Sequence, residues 1–425
     1  MKVLIVSNDG LATALAWQLR QEGHSVVFYI GKPECQDILD GVVEKTNDWE
    51  AVKDECDLII FDDTGFGARA DELKEDGYQV VGASALCDRL EKERDFGVEF
   101  AKKTICKLPE TKQFNNFDDA IKFVSDSKSR WVIKFNGEAG NHKDLLYISQ
   151  RKDNKDLIRL MEHYKRNWHS KLGDVDFVLQ QVIDGVEVGV SACFNGEGFV
   201  LPYYIDHEYK RALAGDVGVF TGQEGEIMIW SSEYGRKLFD GTLKRIEDDL
   251  RKVGYVGMFN INGIINDEGY WFLEWTPRFG YNSQAIEIEA LKYAGHKYVN
   301  WMYEYNLKHM EGVISMGVVV SVPPYPHGNE DVYEQLGKNL PLIADGVSGF
   351  YPHDLKWAGD GWITAGSAGY CCTVATANKL VNYRRIADKC YEEIDKIVLP
   401  KMQYRNDCGV QCDWEAVLDA IASFS

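Results

Sequence analysis

Three groups of residues have types and spacings suited to phosphate and acyl chemistry. The first is Lys134, which follows the apolar run Trp131-Val132-Ile133 and precedes Gly137 and Gly140. A lysine leaving a strand beside a glycine turn can meet a nucleotide phosphate as a point charge. It reads equally as a solvent-facing lysine on an edge strand. The second is Asp206-His207-Glu208-Tyr209-Lys210-Arg211, followed by Asp216, Gly218, Thr221 and Gly222. Acid, imidazole, two cations and permissive glycines suit an anionic intermediate, and the segment is predicted to be a charged loop. A decorated surface loop has the same composition. The third is Asn260-x-Asn262 with Glu274-Trp275-Thr276-Pro277-Arg278-Phe279-Gly280. Alternate strand positions share a face, so Glu274 and Thr276 can converge on Asn260 and Asn262 of a facing strand. A carboxylate among neutral oxygens suits Mg²⁺ shared with nucleotide phosphates, and a neighbouring arginine can fork onto phosphate. An ordinary polar hairpin is the plainer alternative.

The elements that must position these groups follow from periodicity and punctuation. Residues 2–6 form a continuous apolar run, Leu11, Leu15 and Leu19 recur at helical spacing, and further strands are predicted over 26–30, 57–61 and 78–81. Strand, helix, strand in short succession predicts a doubly wound α/β domain over residues 1–105. Its first loop, Ser7-Asn8-Asp9-Gly10, has one glycine and is no dinucleotide fingerprint. One amphipathic helix is predicted over 86–103. A small α+β unit follows within 106–190, with Lys134 on its strand 131–135 and a hairpin partner at 145–148. A larger core is expected over 191–310, with helices at 236–253 and 283–303. A β-rich region over 311–425 carries a helix at 379–397.

Composition narrows the function classes. The 425 residues include 67 acidic and 47 basic side chains, a formal charge of −20. That disfavours an intact nucleic acid or an anionic membrane surface as partner, because both would be repelled at long range. A single pocket for a small molecule or a modified nucleoside is compatible with it. Abundant aromatics (22 Tyr, 19 Phe, 11 Trp) argue for packed cores. No apolar stretch reaches the roughly 18–20 residues that cross a bilayer. The start of the chain lacks signal-peptide features. Ten cysteines without paired CxxC spacing fit a reduced, cytoplasmic protein, and Cys371 and Cys372 read as core.

The order of these motifs resembles the ATP-grasp ligases, and within them the phosphoribosylamine–glycine ligases. MKVLIVSNDGLATALAWQL is similar to that family's first strand, loop and helix, and VIKFNGEAG to its lysine strand and glycine loop. QQVIDGVEVGVS resembles its hinge, DHEYKRALAGDVGVFTG its substrate segment, Glu274 to Gly280 its metal strand, and YRNDCG at 404–409 its C-terminal signature. The resemblance implies an ATP-grasp fold joining α/β and α+β parts, with ATP and Mg²⁺ as cofactors. It implies that Lys134 contacts ATP phosphates, with Lys102 or Lys92 as a second phosphate lysine. Gln181, Val182 and Ile183 would read adenine, and Glu187 would hold ribose. Lys210, Arg211 and Asp216 would belong to the acyl-phosphate or acceptor site. Glu274 would be the main metal carboxylate, with Asn262 and Thr276 beside it, and Arg278 a phosphate clamp. His207 has two readings, general base toward the amine or orienter of Asp206.

The departures fall at substrate positions. Asn8-Asp9-Gly10-Leu11-Ala12-Thr13 stands where the family has two glycines followed by Arg-Glu-His. Thr276 replaces an asparagine, Gly280-Tyr281-Asn282-Ser283 replaces Gly-Asp-Pro-Glu, and Gly140-Asn141-His142-Lys143 replaces a glycine–lysine–glycine element. The expected activity is therefore ATP-dependent ligation of a small carboxylate, such as an amino acid, to an amine through an acyl phosphate, on a substrate pair of its own. The literal purine-synthesis reaction and a non-catalytic nucleotide-binding or scaffold protein are the alternatives. A monomer or homodimer is expected.

Overall fold

The structure is a computed structural model that describes residues 1–136, 145–168, 173–302, 306–307, 309–409 and 414–424. The expected glycine turn and the 140–143 element lie outside these residues, as does Cys412.

The first 81 residues build a five-stranded parallel sheet around the strand Lys2–Ser7, which pairs with Ser25–Ile30 on one side and Leu58–Phe61 on the other. Val3 and Ile5 point into the main core, while Leu4 and Val6 pack with Ile59 and Phe61 on the opposite face. A strand buried on both faces explains why this run shows no polar alternation.

The predicted helix over 86–103 is two helices, Ala85–Lys92 and Arg94–Ala101, hinged at an extended Glu93. The second helix folds against Trp275, whose indole N–H donates to the Gly97 carbonyl at 2.9 Å. Any Cβ at Gly97 would lie 2.7 Å from the Leu90 carbonyl oxygen, so the elbow needs glycine there.

The next unit is a four-stranded antiparallel sheet in the order Thr111–Phe114, Phe177–Gln181, Trp131–Phe135, Tyr147–Ile148. Helices Phe117–Asp126 and Lys155–Asn167 close a separate core in which Phe117 stacks on Phe177 and Phe135 packs against both.

The largest element is a nine-stranded sheet. Its path runs Gly269–Thr276, Val256–Asn266, Val186–Asn195, Tyr203–Leu213, Val217–Ser231, Val313–Ser321, Tyr370–Lys379 and Phe350–Pro352, with the ninth strand, Gln403–Tyr404, pairing on Val313–Ser321 off this path. The expected boundary at 310/311 thus falls between strands of one continuous sheet. The helix Tyr281–Ala294 lies across it and stops at Gly295 in the left-handed region, so the predicted helix to 303 ends early. The predicted helix over 236–253 is three short turns, and the one over 379–397 shrinks to Ile386–Ile394. The expected charged loop at 206–222 is the long hairpin Tyr203–Leu213/Val217–Ser231. Polar residues on both of its faces hid the period-two pattern. No helix among the described residues is long and apolar enough to cross a membrane, and the nine described cysteines are free thiols.

Candidate active site

Between the four-stranded unit and the large sheet lies a cavity of about 410 Å³. A neighbouring cavity of about 370 Å³ shares Glu91, Lys134, Gln180 and Glu274 with it. Register across the large sheet determines what faces the cavity. Thr276 pairs with Asn260, Asn260 with Ser191 and Ser191 with Tyr204; one row away, Glu274 pairs with Asn262, Asn262 with Gly189 and Gly189 with Asp206. Directly opposed residues share a face, so two polar rows line one floor. Gly189 is required in the second row, because a Cβ there would lie 2.0 Å from Asp206 Oδ1.

Lys210 is the electrostatic centre. Its ammonium lies 2.6 Å from Glu187, 3.3 Å from Glu208 and 3.3 Å from Glu274. Burial opposes charge on this amine, but the three carboxylates outweigh it and hold the ammonium well above its usual range. Behind it, Ser191 Oγ donates to Asp206 Oδ2 at 2.9 Å, and Asn260 Nδ2 donates to Ser191 Oγ at 2.6 Å and to Asp206 at 3.2 Å. Burial, reinforced by the charge of Glu208, pushes the Asp206 carboxyl far up. Glu226 rises for the same reasons, burial first and then repulsion from Asp206 and Glu208.

At the other end, Val132, Leu146, Ile148, Ile264 and Leu273 make an apolar slot beside Gln181, Val182 and Ile183. The Gln181 and Val182 amides donate to the Glu110 and Arg130 carbonyls at 2.8 and 2.9 Å. Lys134 donates to Gln180 Oε1 at 2.7 Å, and burial, aided by Arg94 and Lys210 against Glu274, lowers its amine to about 8.

Of the residues singled out in the sequence, Lys134, Gln181, Val182, Ile183, Glu187, Lys210, Asn262, Glu274, Thr276 and Arg278 all line this cavity. Arg278 is already committed, its Nε lying 3.0 Å from Glu91 and 3.2 Å from Asp63. Four expectations are corrected. His207 lies on the face of its strand opposite Glu208 and Lys210, with Nδ1 2.9 Å from the Glu187 carbonyl oxygen and its ring edge-on to Tyr209, so it neither orients Asp206 nor faces the cavity. Arg211 stacks on Phe220 and donates to the Gly218 carbonyl at 2.8 Å. Asp216 sits exposed at the hairpin tip, paired with Arg405 at 2.7 Å. Lys102 is an exposed residue just past a helix end, bonded to Glu99. Strand alternation explains the first; Arg211 lies past a register shift, opposite Phe220, which takes its place in the cavity lining. Lys92, the other candidate for a second phosphate lysine, does line the second cavity.

Arg94 was missed. It lines the second cavity beside Lys134 and Glu274, and its Nη1 is buried without a hydrogen-bond partner among the described residues. Burial holds its guanidinium below the usual range. Within a predicted continuous helix nothing marks this residue; the break at Glu93 is the signal, and it is tertiary. Glu226, Gln223 and Ser191 were missed because their segments read as loop or core.

For a divalent cation, Glu274 and the side-chain oxygen of Asn262 offer the hard oxygen donors such an ion takes. Asn262 Nδ2 donates to Glu208 at 3.2 Å, leaving its oxygen directed elsewhere. Among the described residues no three acids, histidines or cysteines converge as a self-sufficient metal site. The donor set therefore fits an ion shared with nucleotide phosphates.

A cavity with an apolar slot and a cationic–acidic floor lies between two antiparallel sheets, in a chain with an ATP-grasp-like fold. Residues 92–283 match the family model described as phosphoribosylglycinamide synthetase, ATP-grasp (A) domain. The chain is related at low identity to the phosphoribosylamine–glycine ligases. It is 26% identical to that ligase from Leptospira interrogans, covering 96% of this chain and 98% of the relative, and 24% identical to the one from Caldanaerobacter subterraneus, covering 96% and 99%. Among solved structures, phosphoribosylamine–glycine ligase from Thermotoga maritima superposes with a TM-score of 0.69 at 21% identity, covering 96% of this chain and all of that one. The biotin carboxylase domain of Hydrogenobacter thermophilus 2-oxoglutarate carboxylase, in complex with MgADP, gives 0.63 at 10% identity, covering 98% and 95%.

Proposed function

We propose that this protein is an ATP-dependent carboxylate–amine ligase working through an acyl phosphate, on substrates other than those of purine synthesis. The observation that carries the reading is the continuity of the cavity from the Gln181–Ile183 hinge, past Lys134, to Lys210 and its three carboxylates. Adenine enters the apolar slot, where the Ile183 amide is a donor not taken by a described group. Glu187 faces the ribose hydroxyls. Lys134 and Arg94 meet the phosphate chain. Magnesium, when bound with the nucleotide, neutralises charge on the transferring phosphoryl group, and Glu274 with Asn262 would hold it. Lys210 lies beside these groups and stabilises anionic oxygens developing on the acyl phosphate. The four-stranded unit covers the cavity and keeps water from that intermediate. No protein nucleophile is required, because alignment of carboxylate, phosphorus and amine supplies the rate.

The substrate end supports divergence from the purine ligases. Asp9, at the loop where the family has Arg-Glu-His, is paired with Lys32 at 3.3 Å, and Arg278 is held by Glu91 and Asp63. Neither offers a cation without a counter-charge to a sugar phosphate.

The test is ADP release from MgATP against a matrix of amino acids and amines, with phosphoribosylamine generated in place as one acceptor and Glu274→Ala as control. ADP and an amide mass that depend on one pair support the reading. Turnover with glycine and phosphoribosylamine would assign the purine reaction instead. MgATP binding without turnover on any pair would leave a binding protein.

A further inference from the structure

Hydrogen-bond bookkeeping at the inner end of the cavity leaves acceptors in surplus. Glu226 is 2% exposed and Gln223 8%, yet both line the cavity. Glu226 Oε2 receives both local donors, Gln223 Nε2 at 2.6 Å and Ser283 Oγ at 2.7 Å. Among the described residues Glu226 Oε1 and the Gln223 amide oxygen receive none, and Asn260 Oδ1 is buried without a partner. The Ser191 hydroxyl and the Asn260 amide nitrogen are spent within the group, on Asp206 and on each other.

Charge points the same way. Lys210 is committed to Glu187, Glu208 and Glu274; among the described residues neither Asp206 nor Glu226 is in an ion pair, and Lys210 acts on Asp206 only at longer range. A buried acceptor oxygen without a donor, on a carboxylate without an ion-pair partner, is costly unless a ligand supplies both. A phosphate or carboxylate would find no donor here. A primary ammonium brings three donors and one positive charge. A metal ion is the poorer occupant, because no three acidic, histidine or cysteine groups among the described residues converge on one point. Tyr204, Met258 and Tyr281 line the adjoining wall and suit an alkyl chain.

We infer that the inner end of the cavity, formed by Glu226, Gln223, Asn260 and Ser283, is a subsite for the primary ammonium group of an aliphatic substrate. That this ammonium belongs to a reactant rests on the ligase reading. It sits either on a diamine acceptor or on the amino group of the acid being activated.

The experiment measures binding by calorimetry to the full-length protein with MgADP present, using 1,4-diaminobutane, 4-amino-1-butanol, glycine and MgCl₂ alone. ADP binding is measured separately, and thermal denaturation verifies the fold of each variant. The expected result is that 1,4-diaminobutane binds at least tenfold more tightly than 4-amino-1-butanol, and that Glu226→Gln removes that preference while ADP binding is kept. If glycine binds instead and loses at least tenfold in Glu226→Gln, the ammonium is that of the acid and the subsite stands. ADP binding with no ammonium binding, equal affinities in wild type and Glu226→Gln, or a site filled by MgCl₂ alone would overturn the subsite and leave the ligase reading intact. Absence of ADP binding would instead remove the ligase reading. Should Glu226→Gln fail to fold, the wild-type preference between the two four-carbon amines decides the matter, equal affinity refuting it.

Discussion

Glu208 and Glu226 are direct cross-strand partners in the long hairpin of the large sheet. Like charges at such positions destabilise a ladder, by roughly 0.2–1 kcal/mol. Glu208 is offset by Lys210 at 3.3 Å and Asn262 at 3.2 Å, whereas Glu226 has only neutral donors and its carboxyl is driven upward by burial and repulsion. Without ligand, Glu226→Gln is therefore expected to raise stability by about 0.5–1 kcal/mol at pH 8. Urea denaturation measures this. A loss of stability would show that the negative charge is balanced within the protein.

Lys210 and His207 separate cavity chemistry from sequence proximity. Lys210→Met leaves Glu187, Glu208 and Glu274 facing one another, and removing one member of such a cluster costs about 3 kcal/mol. Substrate-dependent ADP release should fall at least a hundredfold. His207→Ala, on the other face, should change turnover less than threefold. Equal losses in the two variants would contradict the strand register.

Arg94 carries a buried guanidinium nitrogen without a hydrogen-bond partner among the described residues. A hydrogen bond to a charged group is worth about 1.5–3 kcal/mol, so Arg94→Ala should weaken ADP binding roughly tenfold to a hundredfold with little loss of stability. Unchanged ADP affinity would remove Arg94 from the phosphate site.

If Lys134 meets nucleotide phosphate as proposed, it gives nucleotide binding a pH dependence. With its amine lowered to about 8, it is charged below that pH and neutral above it. ADP affinity should hold constant from pH 6.5 to 7.5 and fall by up to about tenfold per unit above 8. Lys134→Arg, charged throughout, should flatten the profile.

Glu287 accepts from Tyr204 at 2.6 Å and Tyr298 at 2.8 Å, and burial raises its carboxyl to about 7. An acid whose folded value exceeds its unfolded value of 4.5 binds its proton more tightly when folded. Its favourable contribution is complete below pH 4.5 and is lost as pH rises through about 7, amounting to up to about 3 kcal/mol. Glu287→Gln should therefore be less sensitive to pH between 5 and 8 in thermal denaturation; an identical profile would exclude this carboxyl as the source.

Local periodicity and punctuation were enough to read the parallel sheet at the start of the chain, the strand bearing Lys134 and the paired strands bearing Asn260, Asn262, Glu274 and Thr276. Each rests on a short apolar run or a period-two pattern bounded by turn residues, information carried by a few neighbours. The tertiary structure decided the remainder. Asp206–Gly222 reads as loop because both faces of its hairpin are polar, and only pairing with Val186–Asn195 and Val313–Ser321 makes it a strand pair in mid-sheet. That pairing turns Glu208 and Lys210 inward and His207 away, and a register shift after Tyr209 sets Arg211 onto Phe220. The elbow at Glu93 places Arg94 at a cavity, and it exists because the following helix packs on Trp275, a residue distant in sequence. The meeting of Glu187, Glu208 and Glu274 at Lys210 draws on three strands, and such a convergence depends on long-range register that no local pattern encodes.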